Sequence, residues 1–241
     1  MEFLVSEQPP TRTTGKVSHA IAKAALGSIP LAGAGASELF AFVITRPLER
    51  RRDEWMHAVA ERLGTLEDRR AESLTYLQYD ESFLDTVLQA SQIALRTHHE
   101  EKRHALLNAI TNAAMPHAPD ESERQMFLGL IDAFTDWHLR LLVLFDDPTS
   151  FFESHGKRFP SMHAGSLSHL LEAAYPELKD RREFYDQVWR DLHASGLVLT
   201  NSLHVMMSER GIAESRTTQR AKTFLRFVSD PDENVSTQPT P

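Results

Sequence analysis

Met126-Phe127-Leu128-Gly129-Leu130-Ile131-Asp132-Ala133-Phe134-Thr135-Asp136-Trp137-His138-Leu139-Arg140-Leu141-Leu142-Val143-Leu144-Phe145 is the most strongly patterned stretch of the 241-residue chain. Its apolar residues Met126, Phe127, Leu130, Ile131, Phe134, Trp137, Leu141, Leu144 and Phe145 recur three and four apart, the spacing of one buried helix stripe. The stretch predicts a strongly apolar helix, long or bent. Asp120-Glu121-Ser122-Glu123 supplies a capped start and Asp146-Asp147-Pro148 an end.

Upstream, two further segments carry the same period. Pro47 suits a first helical turn, and Leu48, Trp55, Met56, Val59, Leu63 and Leu66 follow at helical spacing. A second helix is predicted from Asp80 towards Ala114, with Leu84, Val87, Leu88, Ser91, Leu95, His98, Lys102, Ala105, Leu106 and Ala109 on one stripe. Met115-Pro116-His117-Ala118-Pro119 stops it. Three amphipathic helices of this kind must bury their stripes against one another, so the expected fold is mainly α, with a helical bundle over residues 16–150. Residues 1–15 are expected to be flexible.

Downstream the pattern changes. Residues 151–164 hold proline, glycine and histidine and read as a loop. Residues 166–175 form a short amphipathic helix closed by Pro176, and Asp180 caps another that carries Phe184, Val188, Trp189 and Leu192 inward and ends at Gly196. Leu197-Val198-Leu199-Thr200, a turn at Asn201-Ser202 and Leu203-His204-Val205-Met206-Met207 read as two short strands. A last helix spans residues 217–228, with Ala221, Phe224, Leu225 and Val228 apolar. Helix, helix, two strands and a closing helix predict a small winged-helix-like α+β unit over residues 165–228, followed by a disordered polar tail, 229–241.

Composition narrows the function classes. Apolar residues make up 41% and charged residues 25%, which excludes global disorder. With no cysteine there is no thiolate metal site and no cysteine nucleophile. A net charge of −8 argues against a chain-wide footprint for nucleic acid or anionic lipid. The N-terminus lacks a basic region followed by an apolar run, so no secretory signal is expected and a cytoplasmic location is, one that becomes peripheral to the membrane if the segment described next inserts.

That segment is Ile29-Pro30-Leu31-Ala32-Gly33-Ala34-Gly35-Ala36-Ser37-Glu38-Leu39-Phe40. The uncharged run around it, residues 24–37, is too short and too small in side chain for an ordinary spanning helix. It reads first as a buried helical hairpin whose turn uses glycine dihedrals. The alternative is an element that inserts into a bilayer after activation, with Ile29, Pro30, Gly33, Gly35, Glu38 and Phe40 as its contact residues. Gly33-Ala34-Gly35 brushes against the dinucleotide fingerprint, but Glu38 replaces the third glycine and no strand precedes it.

Catalytic motifs are missing: no Gly-x-Ser-x-Gly elbow and no glycine-rich phosphate loop before Lys-Ser/Thr occur. Two Glu-x-x-His pairs, Glu54/His57 and Glu101/His104, share a spacing used in di-metal bundles. Both lie well off the apolar stripes, so they read as solvated faces. His98 falls within a stripe and reads as a core-edge histidine. No cofactor and no metal are expected, and a metal-dependent helical enzyme is the weakest alternative. For nucleic acid, the helix after Asp180 offers Arg181, Arg182 and Arg190, yet residues 166–229 hold nine basic against eight acidic side chains. A protein-contact role suits that balance better.

Three stretches carry a resemblance. They are Ser28-Ile29-Pro30-Leu31-Ala32-Gly33 through Glu38-Leu39-Phe40 with Pro47-Leu48-Glu49-Arg50-Arg51-Arg52-Asp53-Glu54-Trp55; Gln89-Ala90-Ser91-Gln92-Ile93-Ala94 with Glu101-Lys102 and Leu106-Leu107-Asn108-Ala109; and Thr217-Thr218 with Ala221, Phe224 and Leu225. Together they resemble a widespread set of uncharacterised bacterial helical proteins. The closing pattern is also similar, more distantly, to the C-terminal part of the Abi-alpha family, named for abortive phage infection; Ala221 stands where that pattern favours glycine. Neither resemblance brings catalytic residues. What it implies is a bacterial cytosolic protein with phage defence as its setting. The resulting expectation is a non-enzymatic interaction or effector protein with a protein partner or self-association, a membrane being a partner after activation; a nucleic-acid-binding regulator is the alternative.

Overall fold

The computed structural model describes residues 46–70, 73–160 and 164–231. Ten α-helices account for most of these, and the only sheet among them has two strands. The mainly α fold follows from the stripes. The chain divides into two compact units, the first ending at Arg96 and the second starting at Thr97.

In the first unit, α1 (Arg46–Arg70) and α2 (Glu81–Arg96) pack together, with a 3-10 turn, Thr75–Tyr79, before α2. Trp55, Val59, Leu63 and Leu66 are buried along α1, as the spacing predicts, while Leu48 is 37% exposed. The Trp55 indole Nε1–H donates to Ser91 Oγ at 2.9 Å, and that hydroxyl donates to Val87 O at 2.7 Å. The one polar atom of a fully buried tryptophan is thereby satisfied.

The second unit begins where the long helix expected from Asp80 breaks. The chain leaves the helix at Thr97-His98-His99 and restarts as α3 (Glu100–Ala113), with Thr97 Oγ1 accepting from the His99 N–H at 3.2 Å. His98, expected at the edge of the core, sits in this break and is exposed. No proline or glycine marks the break; a threonine side chain that accepts a backbone bond competes with the helix ladder here.

The Met126–Phe145 stretch divides in the same way, into α4 (Glu121–Ala133) and α5 (Asp136–Asp146). Asp120 caps α4 by accepting from the Glu123 N–H at 2.9 Å, as the sequence predicts. Phe127 of α4 meets Phe224 and Phe227 of α10 (Gln219–Val228), with ring centroids 5.4 and 5.8 Å apart. α3 also packs on α10, so among the described residues the first and last helices of the unit are neighbours.

Residues 148–154, expected within or beside a loop, form α6 (Pro148–Ser154), because Asp147 caps it and Pro148 occupies its first position. Next come β1 (Ala164–Gly165), α7 (Leu167–Ala174) and α8 (Arg182–Ala194). The N-cap of α8 is Arg181 and makes no side-chain cap bond, so the cap expected from Asp180 is not made. Gly196 has φ +70° and closes α8 in the left-handed region, as expected.

Strand pairing differs from the sequence expectation. The run from Leu197 is not paired with the segment beginning at Leu203. Instead Leu199 N–H donates to Arg216 O and Thr218 N–H to Leu197 O, each at 2.9 Å, around an antiparallel bridge between Val198 and Thr217. β2 (Met207–Ser208) pairs with β1, antiparallel, and α9 (Glu209–Ala213) follows it. Leu203 turns inward to full burial and its carbonyl accepts from the Ser168 N–H at 2.9 Å, which takes it out of any return strand. Residues 229–231 are described and Ser229 caps α10; the rest of the predicted tail lies outside the described residues.

Candidate interaction surface

α8 is strongly amphipathic. Tyr185, Val188, Trp189 and Leu192 form its buried face, and Trp189 Nε1–H donates to Thr200 O at 2.9 Å. This bond ties the helix to the chain just past the Val198 bridge. Tyr185 Oη donates to Glu172 Oε1 of α7 at 3.2 Å. Burial, and then the neighbouring Glu172 carboxylate, push the Tyr185 hydroxyl up to about 12, so it stays a donor across the physiological range.

The outer face of α8 and its N-cap hold the three arginines singled out from the sequence, each already engaged. The Arg181 guanidinium lies over the Phe184 ring, 4.2 Å from its centroid. Arg182 Nε is 3.5 Å from Asp186 Oδ2, and Arg190 donates to Gln187 Oε1 at 2.7 Å. Arg182, Asp186 and Arg190 recur four apart on one stripe, so a carboxylate stands between the two guanidinium groups. Asp186 Oδ1 also contacts His204 Nε2 at 2.7 Å. A phosphate approaching this face meets a mixed surface, not a basic one.

The hairpin bridged at Val198 and Thr217 encloses an excursion, residues 200–215. At its foot and along its first half stand Leu199, Val205 and Met206, exposed by 60%, 53% and 63%. Sequence reasoning placed these residues in strands and did not mark them as surface. Leu197 and Val198 are both buried and Leu199 is exposed, so the period-2 alternation that would separate inside from outside is missing.

The remaining sequence candidates do not converge. Glu54 pairs with Arg50 at 3.6 Å and His57 is exposed on α1; Glu101 pairs with Arg140 and His104 is exposed on α3. Among the described residues no group of three or more His, Asp or Glu side chains is placed to hold a metal ion. Among them, too, no helix is long and apolar enough to cross a membrane. The segment with Ile29, Pro30, Gly33, Gly35, Glu38 and Phe40 lies outside the described residues. Comparisons with protein-family models, with curated proteins and with solved structures find no match.

Proposed function

We propose that this chain is a non-enzymatic helical interaction protein whose C-terminal part, a winged-helix-like arrangement of α7, α8 and the hairpin bridged at Val198, is a protein-contact module. The observation that carries the reading is the exposure of Leu199, Val205 and Met206 on one short run beside a helix whose arginines are already engaged. Burying each half-exposed side chain in an interface contributes roughly 1 kcal/mol. A DNA reader needs the opposite surface, basic and free of carboxylates.

The partner tested first is a second copy of this chain, since exposed apolar side chains of one copy can be covered by those of another about a two-fold axis. Sedimentation velocity over a concentration series is expected to show reversible association that Leu199→Ser, Val205→Ser and Met206→Ser together abolish, with helix content unchanged. A monomer at every concentration removes the self-contact reading. Salt-dependent retention on DNA that Arg182→Ala and Arg190→Ala abolish would replace it with the nucleic-acid reading.

A further inference from the structure

The break between α4 and α5 has no residue that breaks helices by itself. From Glu121 to Asp146 there is no proline, and the one glycine, Gly129, lies inside α4. One contact from a distant helix and one capping box within the local sequence hold the two helices apart. Lys102, a buried lysine of α3, donates from Nζ to Asp132 O at 3.1 Å, at the end of α4. Thr135 then opens α5 with a capping box whose far member is His138.

The box fixes the protonation of that histidine. The Thr135 N–H donates to His138 Nδ1 at 3.0 Å, and Thr135 Oγ1 lies 2.9 Å from the same nitrogen. A backbone amide can only donate, so Nδ1 must keep its lone pair and the ring proton belongs on Nε2, which faces Asp191 Oδ2 of α8 at 3.5 Å. Capping boxes ordinarily place Glu or Gln at this position. Histidine fills the role in only one of its two charge states.

The surroundings oppose charging the ring. His138 is 5% exposed and lies flat on Phe134, with centroids 4.5 Å apart and planes 4° from parallel. Among the described residues, the charged side chains acting on it are Asp191 from α8 and Lys102 from α3; Asp136, beside it on α5, is turned to His99 at 2.7 Å. Burial holds the imidazole below its ordinary value and Lys102 pushes the same way, while Asp191 and then the Thr135 backbone oppose both without overcoming burial.

We propose that His138 is a proton-operated latch on the α4–α5 break. Neutral, its Nδ1 closes the first turn of α5 and keeps residues 121–146 as two helices. Protonation puts a hydrogen on Nδ1, which ejects the Thr135 N–H. A charged imidazole is costly in so closed a site, so the ring swings away from Phe134 and the first turn of α5 opens on the side of α8. α7 offers a contrast within the same unit. Ser166 N–H donates to His169 Nδ1 at 3.3 Å in a second such box, but His169 is exposed.

The test is amide hydrogen exchange by NMR, corrected for intrinsic exchange. Between about pH 7.5 and about pH 5.5, protection at Thr135 in the wild-type chain is expected to fall about tenfold, because the released ring, with its ordinary value of 6.5, takes up the proton over that range. His138→Gln keeps the box and cannot titrate, so its protection is expected to hold. No fall in the wild type, or an equal fall in the variant, overturns the latch. If the variant does not fold, the wild-type imidazole nitrogen shifts decide. A bare Nδ1 at neutral pH whose titration moves the Thr135 amide sustains the proposal, and a proton on Nδ1 at neutral pH defeats it.

Discussion

Asn108 and Val228 are joined by a 2.9 Å hydrogen bond, Nδ2 to backbone O, across 120 residues of sequence. One helical turn on, Asn112 Nδ2 shares its two hydrogens among Arg226 O, Phe227 O and Ser229 O, at 3.1, 2.9 and 2.9 Å. The last carbonyls of a helix have no partner within it. Here α3 supplies those partners to α10 from its side. Asn108→Ala and Asn112→Ala are each expected to cost about 1–2 kcal/mol in urea unfolding, with the pair costing less than the sum because both side chains hold the same helix end.

In the first unit the matching test is Ser91→Ala. It leaves the Trp55 indole N–H, 1% exposed as a residue, without its acceptor. A loss of about 1–3 kcal/mol is expected, while Ser91→Ala combined with Trp55→Phe should show coupling, since the second change removes the orphaned donor. Thermal unfolding followed by tryptophan fluorescence and, for the double variant, by circular dichroism measures both.

Two glycines should respond to alanine with opposite signs. Gly196 has φ +70° and open space around it, so Gly196→Ala strains only the backbone and is expected to destabilise by about 1 kcal/mol. Gly64 lies inside α1, also with open space where a Cβ would stand. Gly64→Ala is expected to stabilise by up to about 1 kcal/mol. Equal signs in denaturant melts would contradict this account.

Alkaline pH should loosen the second unit. Burial pushes the Tyr175 hydroxyl up from 10.0 to about 12, with Glu177 and Glu101 adding to the rise and Arg140 opposing it. Between 10.0 and about 12 the unfolded chain ionises this tyrosine while the folded chain keeps its proton. The stability it supports is therefore complete below pH 10.0 and falls as pH rises towards 12. Tyr185 moves in the same direction, so Tyr175→Phe is expected to flatten the alkaline decline in part. Phenolate absorbance against pH gives the titrations directly.

Much of the fold was legible because stripes of Trp55-Val59-Leu63 or Phe127-Ile131-Phe134 kind can bury themselves in only one way. The helix breaks at Thr97 and Thr135 were not legible. Both are made by threonine-centred bonding between backbone and side chains, and the second uses histidine where glutamate or glutamine is the familiar signal. The α8 arginines and the carboxylates Glu183, Asp186 and Asp191 on the same helix were legible together, but not which of them would pair: Arg182 meets Asp186 one turn on, while Arg190 donates to the uncharged Gln187. Leu199, Val205 and Met206 were missed because β-type composition says nothing about which strand a run will pair with.

The neighbouring of α3 and α10 also sets an order of events at the ribosome. The face of α3 that carries Asn108 and Asn112 is synthesised long before the helix whose end it holds. Completion of this pairing must wait for the codons of α10, and truncation before Val228 would leave the facing surface of α3 open to whatever it meets.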